Sequence, residues 1–115
     1  MRLVQAGEFL LNEFDLIAIP DYESINQNGR FLIFDGLNAL SPYSSWASFS
    51  IVLASNSLNK DKSGLLSLID EVKTKCFELS CASAGEDFKL DSIKTAFIGG
   101  TLYCAKCEIR LKVKP

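Results

Sequence analysis

Gly99-Gly100 constrains this chain more than any other pair of residues in it. Both central positions of a two-residue type I′ turn need φ > 0, which glycine adopts freely, so a Gly-Gly between β-branched and aromatic runs predicts a hairpin. The turn sets an expected register: Ile98 opposite Thr101, Phe97 opposite Leu102, Ala96 opposite Tyr103 and Thr95 opposite Cys104. At the base of this hairpin, residues 107–113 alternate apolar and charged, which predicts one buried and one wet face. Between Ile93 and Ala105 the alternation fails and Lys94 is the sole charge. Both faces of that tip need cover, either from the chain's own helices or from another subunit.

The rest of the chain supplies the elements such a hairpin joins. Leu3, Ala6, Leu10 and Phe14 recur at helical spacing and predict a short amphipathic helix over residues 2–12, followed by an extended run, 16–19, that stops at Pro20. Residues 21–30 read as loop. The apolar run 31–34 reads as a strand covered on both faces, and residues 36–45, containing Ser41-Pro42, read as a second connection. From Trp46 to Ser55 the alternation is clean, with Ala47, Phe49, Ile51 and Leu53 on one face, which predicts a half-buried antiparallel strand. Leu65, Leu68, Ile69, Val72, Cys76 and Leu79 fall within one helical stripe, with Asp61 or Ser63 placed to cap it. Leu66 and Phe77 lie off that stripe, where they either widen the buried face or contact a second subunit. This order predicts a single α+β domain over residues 1–115, its mostly antiparallel sheet packed against one long helix and a short N-terminal helix.

Composition limits what such a domain does. With 48% hydrophobic and 23% charged residues the chain is globular rather than disordered. A net charge of −2, with basic residues grouped only around Lys60, Lys62, Lys73 and Lys75, argues against a protein whose main task is nucleic-acid binding. No sequence-specific nucleic-acid contact and no membrane partner are expected: no apolar run reaches the ~20 residues of a membrane span, and the first residues do not read as a secretion signal. In a reducing compartment the four cysteines are expected as free thiols.

Chemistry is hard to build from what remains. Histidine is absent, which removes the commonest general base and imidazole ligand. The carboxylates are dispersed, there is no nucleophile elbow, and Gly99-Gly100 does not precede a helix, so it does not cradle phosphate. No catalytic residue and no cofactor is predicted. Cys76-x4-Cys81 and Cys104-x2-Cys107 resemble two halves of a zinc site. Two features weigh against that reading: residues three apart in a strand point to opposite faces, and Cys76 belongs to the core stripe of its helix.

Taken together, the strand 46–53, the helix start Ser63-Gly64-Leu65-Leu66-Ser67-Leu68-Ile69-Asp70-Glu71-Val72 and the closing hairpin 93–113, with Tyr103 near the start of its second strand, resemble a known pattern. It is similar to that of the small tail-completion or tail-terminator proteins of Mu-like and other long-tailed phages and prophages, and it spans residues 29–113. The resemblance implies a non-enzymatic virion-assembly protein, located in the virion or the cytoplasm of the bacterial host. It would form a homo-oligomeric ring, commonly a hexamer, that ends tail-tube growth and joins the tail to the head connector. A subunit interface would then use the hairpin tip, Phe97, Ile98, Leu102 and Tyr103, against a patch around Leu66 and Phe77. Two alternatives stand beside it: a small adaptor or immunity module acting as a monomer or dimer, and a zinc-binding domain.

Overall fold

A computed structural model describes residues 1–59, 61–82, 87–96 and 102–114. Its elements are α1 (Leu3–Glu13), β1 (Ile17–Ala18), β2 (Gly29–Ser41), β3 (Ser44–Ser55), α2 (Leu65–Ala82), β4 (Phe88–Ala96) and β5 (Tyr103–Val113). The five strands form one sheet in the order β1-β2-β3-β5-β4. The α+β class is as expected, but the sheet is mixed: β1 joins β2 in parallel through Ile17 opposite Phe31 and Ala18 opposite Leu32. The helical layer is two helices, of 11 and 18 residues.

Alternation places the core. Ala47, Phe49, Ile51 and Leu53 of β3 and Ala105, Cys107, Ile109, Leu111 and Val113 of β5 share one face. Onto them pack Ala6, Leu10 and Phe14 of α1 and Leu65, Leu68, Val72 and Cys76 of α2. α1 begins with the Arg2 backbone N–H donating to Gln5 Oε1 at 2.8 Å, which ties down the entry to its first turn. Ion pairs join the layers from outside, Lys75 to Glu13 at 2.9 Å between the helices and Arg30 to Glu71 at 2.7 Å between β2 and α2.

Among the described residues, the opposite sheet face is covered over one half only. There the segment after β1, with a short 3-10 turn at Tyr22–Ser24, lays Ile25 onto Phe31, Ile33, Val52, Ala54 and Cys104, with Ile19, Tyr22 and Leu102 around the rim. This second small core answers the need for cover at the start of β5. The cover comes from a loop, not a helix.

Two expectations from the sequence are corrected. Residues 36–45 are not a connection: β2 runs on to Ser41 and β3 begins at Ser44, so the pair forms a long hairpin with its turn at Pro42-Tyr43. The strand pattern was hidden because β2 is bulged between Phe34 and Gly36 and again between Ala39 and Ser41, and each extra residue breaks the period of two. Gly36, at φ +144°, occupies a backbone conformation that side-chain-bearing residues rarely adopt.

The hairpin register is the second correction. From Phe88 to Leu90 the pairing is what the Gly-Gly turn extrapolates to, with Leu90 opposite Ile109. Above the irregularity at Asp91 it is shifted by one, so Ala96 lies opposite Cys104 and Thr95 opposite Ala105, instead of Tyr103 and Cys104. Asp91 is the additional residue, and its carboxylate accepts two hydrogen bonds from Arg110, at 2.7 and 2.9 Å. Phe97, Ile98, Gly99 and Gly100 lie outside the described residues.

Candidate functional site: an uncharged edge and an apolar cleft

Of the residues expected at a subunit interface, Phe97 and Ile98 lie outside the described residues, and the other four are not brought to one place. Leu102 packs onto the second core of its own molecule. Tyr103, 49% exposed, pairs with Ser55 at the end of the sheet where α2 begins, and Leu66, 48% exposed, stands in the first turn of that helix. Phe77 is 70% exposed eleven residues further along α2, about 16 Å away at 1.5 Å per residue. Leu66, Asp70 and Phe77 follow one outward stripe of α2, so the helix presents a stripe, not a compact patch.

The sequence reading missed the outer half of the β2–β3 hairpin. β1 pairs with β2 only at Phe31 and Leu32, so from Ile33 to Ser41 the outer edge of β2 has no strand beside it among the described residues. Along that stretch Phe34, Leu37 and Leu40 are half exposed, and Tyr43 at the turn is 78% exposed. Phe34 leans on buried Phe49, ring centroids 5.3 Å apart, and so extends the core outward to the edge. A signal was present in the sequence: between Asp35 and Lys60 no residue is charged. Free edges are ordinarily blunted by charge, Pro or a covering element, and this one carries bulges but no charge beyond Asp35. The other edge, β4, carries Lys89, Asp91 and Lys94.

At that other edge lies a cleft of about 430 Å³ between α2 and β4, lined by Lys73, Thr74, Cys76, Phe77, Ser80 and Leu90. Its size falls in the range of ligand-sized clefts, and its walls are mostly apolar. The bare half of the opposite sheet face is polar instead. There Ser50 donates to Asp35, Ser92 donates to Glu108 at 3.0 Å, and Lys106 pairs with Glu108 at 3.3 Å. Trp46 lies among these side chains with Lys89 and Arg110 each 5.2 Å from its ring centroid.

The hydrogen bond from Ser92, aided by Lys106, holds the Glu108 carboxyl below its ordinary value. A depressed folded-state value favours the ionised form in the native protein. That contribution is present above the unfolded-state carboxylate range and is lost as pH falls through the folded value. Denaturant titrations at neutral and acid pH are therefore expected to show Glu108→Gln losing less stability on acidification than the wild type.

The thiols do not converge. Cys76 and Cys107 are buried between α2 and the helix side of β5, Cys104 is buried on the other side of the sheet, and Cys81 is exposed near the end of α2. Among the described residues no group of three or more His, Cys, Asp or Glu is placed to hold a metal ion. Burial pushes Cys76 and Cys107 up to about 12, the neighbouring Cys76 adding to the effect on Cys107, and burial also raises Cys104. Since the thiolate is the reactive form, a disulfide-exchange reagent is expected to titrate Cys81 alone in the native protein and all four thiols after unfolding.

Among the described residues no helix is long and apolar enough to cross a membrane. No protein-family model matches the chain, and none of the curated proteins matches it.

Proposed function

We infer that this is a non-enzymatic assembly protein that works by self-association, as a tail-terminator-like component of a long-tailed phage or prophage. It forms a ring, commonly a hexamer, that stops growth of the tail tube and joins it to the head connector. One observation carries the reading: the β2 edge and the Pro42-Tyr43 turn expose Phe34, Leu37, Leu40 and Tyr43, and beyond Asp35 this stretch has no charge to keep other chains away. An assembly in which this arm is covered removes that liability. Closed rings use heterologous contacts, so the arm and its receiving surface are different parts of the molecule.

Sedimentation velocity across a wide concentration range tests self-association, and electron microscopy of the protein mixed with tail tubes tests the end-capping role. Rings, and tubes of uniform length with the protein at one end, are expected. Monomers at every concentration with bare tube ends would refute the reading. Isolation of a stable one-to-one complex with a different protein, again with no self-association, would replace it with the adaptor alternative.

A further inference from the structure

The surface that receives the arm can be identified, on the footing that the protein self-associates as just described. We propose that the Tyr43 end of the β2–β3 arm of one copy seats in the α2–β4 cleft of the next. In the sheet order β1-β2-β3-β5-β4 the arm is built from β2 and β3 and the cleft flanks β4, with β5 between them. Within one copy the arm end stands away from the cleft, with Tyr43 78% exposed, so filling the cleft of a copy leaves its own arm free for the following copy. Such a contact repeats in one sense around a ring.

The chemistry of the two surfaces matches. The arm end is uncharged and carries one aromatic ring, 78% exposed, with Leu40 beside it. The cleft offers Phe77 and Leu90 as apolar walls. Ring-on-ring contact between Tyr43 and Phe77 covers the two most exposed aromatic side chains among the described residues. Among the described residues lining the cleft Lys73 is the one that is charged, and an ammonium is attracted to the electron-rich face of a phenol. Thr74 adds a hydroxyl group to the lining for the polar end of the same ring.

Two variants test this as a pair. Tyr43→Asp spoils the arm and Phe77→Asp spoils the cleft; both sites are exposed, and circular dichroism with thermal melting checks that each variant is folded. Thr74→Arg serves as a second cleft variant, and Tyr43→Phe as the conservative arm variant that retains assembly. In sedimentation, each Asp variant alone is expected to associate about thirty-fold or more weakly than the wild type, the size of a lost interfacial anchor. Mixed, they are expected to form one-to-one dimers that do not grow, because each brings one intact surface.

Wild-type assembly that both cleft variants leave unchanged would overturn the inference while the self-association reading stood. The same holds for a Tyr43→Asp defect that Phe77→Asp copies do not rescue, which would point to an arm-to-arm contact. A wild type that stays monomeric would sink both.

Discussion

Replacing Ile51 with alanine is expected to lower the stability of the folded chain by about 2–5 kcal/mol, the range for truncating a large aliphatic side chain in a closed core. Ile51 is fully buried at the middle of β3, the strand flanked on both sides along its length. Its neighbours across the sheet are Leu32 on β2 and Cys107 on β5, and it belongs to the core on which both helices pack. A truncation there leaves a void bounded by paired backbone on either side, which cannot close up cheaply. Calorimetry is expected to show the melting midpoint fall by on the order of 10 °C or more. Leu66→Ala, at a half-exposed site, serves as the control and is expected to change stability by less than about 0.5 kcal/mol. Equal effects at the two sites would mean that the sheet centre is not the core.

The second large effect concerns association rather than folding. Leu37→Lys combined with Leu40→Lys places two ammonium groups on the outer half of β2, where natural edge strands ordinarily carry such charges. Leu37 and Leu40 are each 52% exposed in the single chain, so little packing is lost and the melting midpoint is expected to stay close to that of the wild type. Self-association is expected to disappear, because burying either ammonium unpaired in a subunit contact costs far more than such a contact yields. Sedimentation and thermal melting on the same preparation separate the two effects. A variant that assembles like the wild type would exclude the outer half of β2 from the contact.

What is legible in the sequence, and what is not, divides along the range of the interactions involved. The stripe of Leu65, Leu68, Val72 and Cys76 marks α2, and the alternation of Ala47, Phe49, Ile51 and Leu53 marks the helix side of β3. Both are patterns within one element, so a short window of sequence contains them. The same logic separates Cys104 from Cys107: three positions along a strand put them on opposite faces, and the sheet places them in different cores.

The bulges were illegible for the opposite reason. Whether Asp35 or Asp91 counts as a paired residue depends on which chain lies beside it, and a single uncounted residue reverses the faces of everything beyond. That is why residues 36–41 read as loop and why the pairing at the start of β5 was displaced by one. Asp91 is held out of the ladder by Arg110, a residue far from it in sequence but adjacent across the hairpin.

The candidate site shows both sides of this division. The uncharged run between Asp35 and Lys60 stands in the sequence, but its meaning does not, because an uncharged strand at the centre of a sheet is ordinary and the same strand at an edge is exposed. By itself the chain determined the helices, the strand faces, the absence of histidine and the thiol-bearing core positions, since each follows from residue identity and local period. Only the tertiary structure decided that β1 stops after two pairs, that β2 is left as an open edge, and that Phe77 and Leu90 meet across a cleft. Those outcomes depend on which distant segments become neighbours, and no local periodicity encodes that choice.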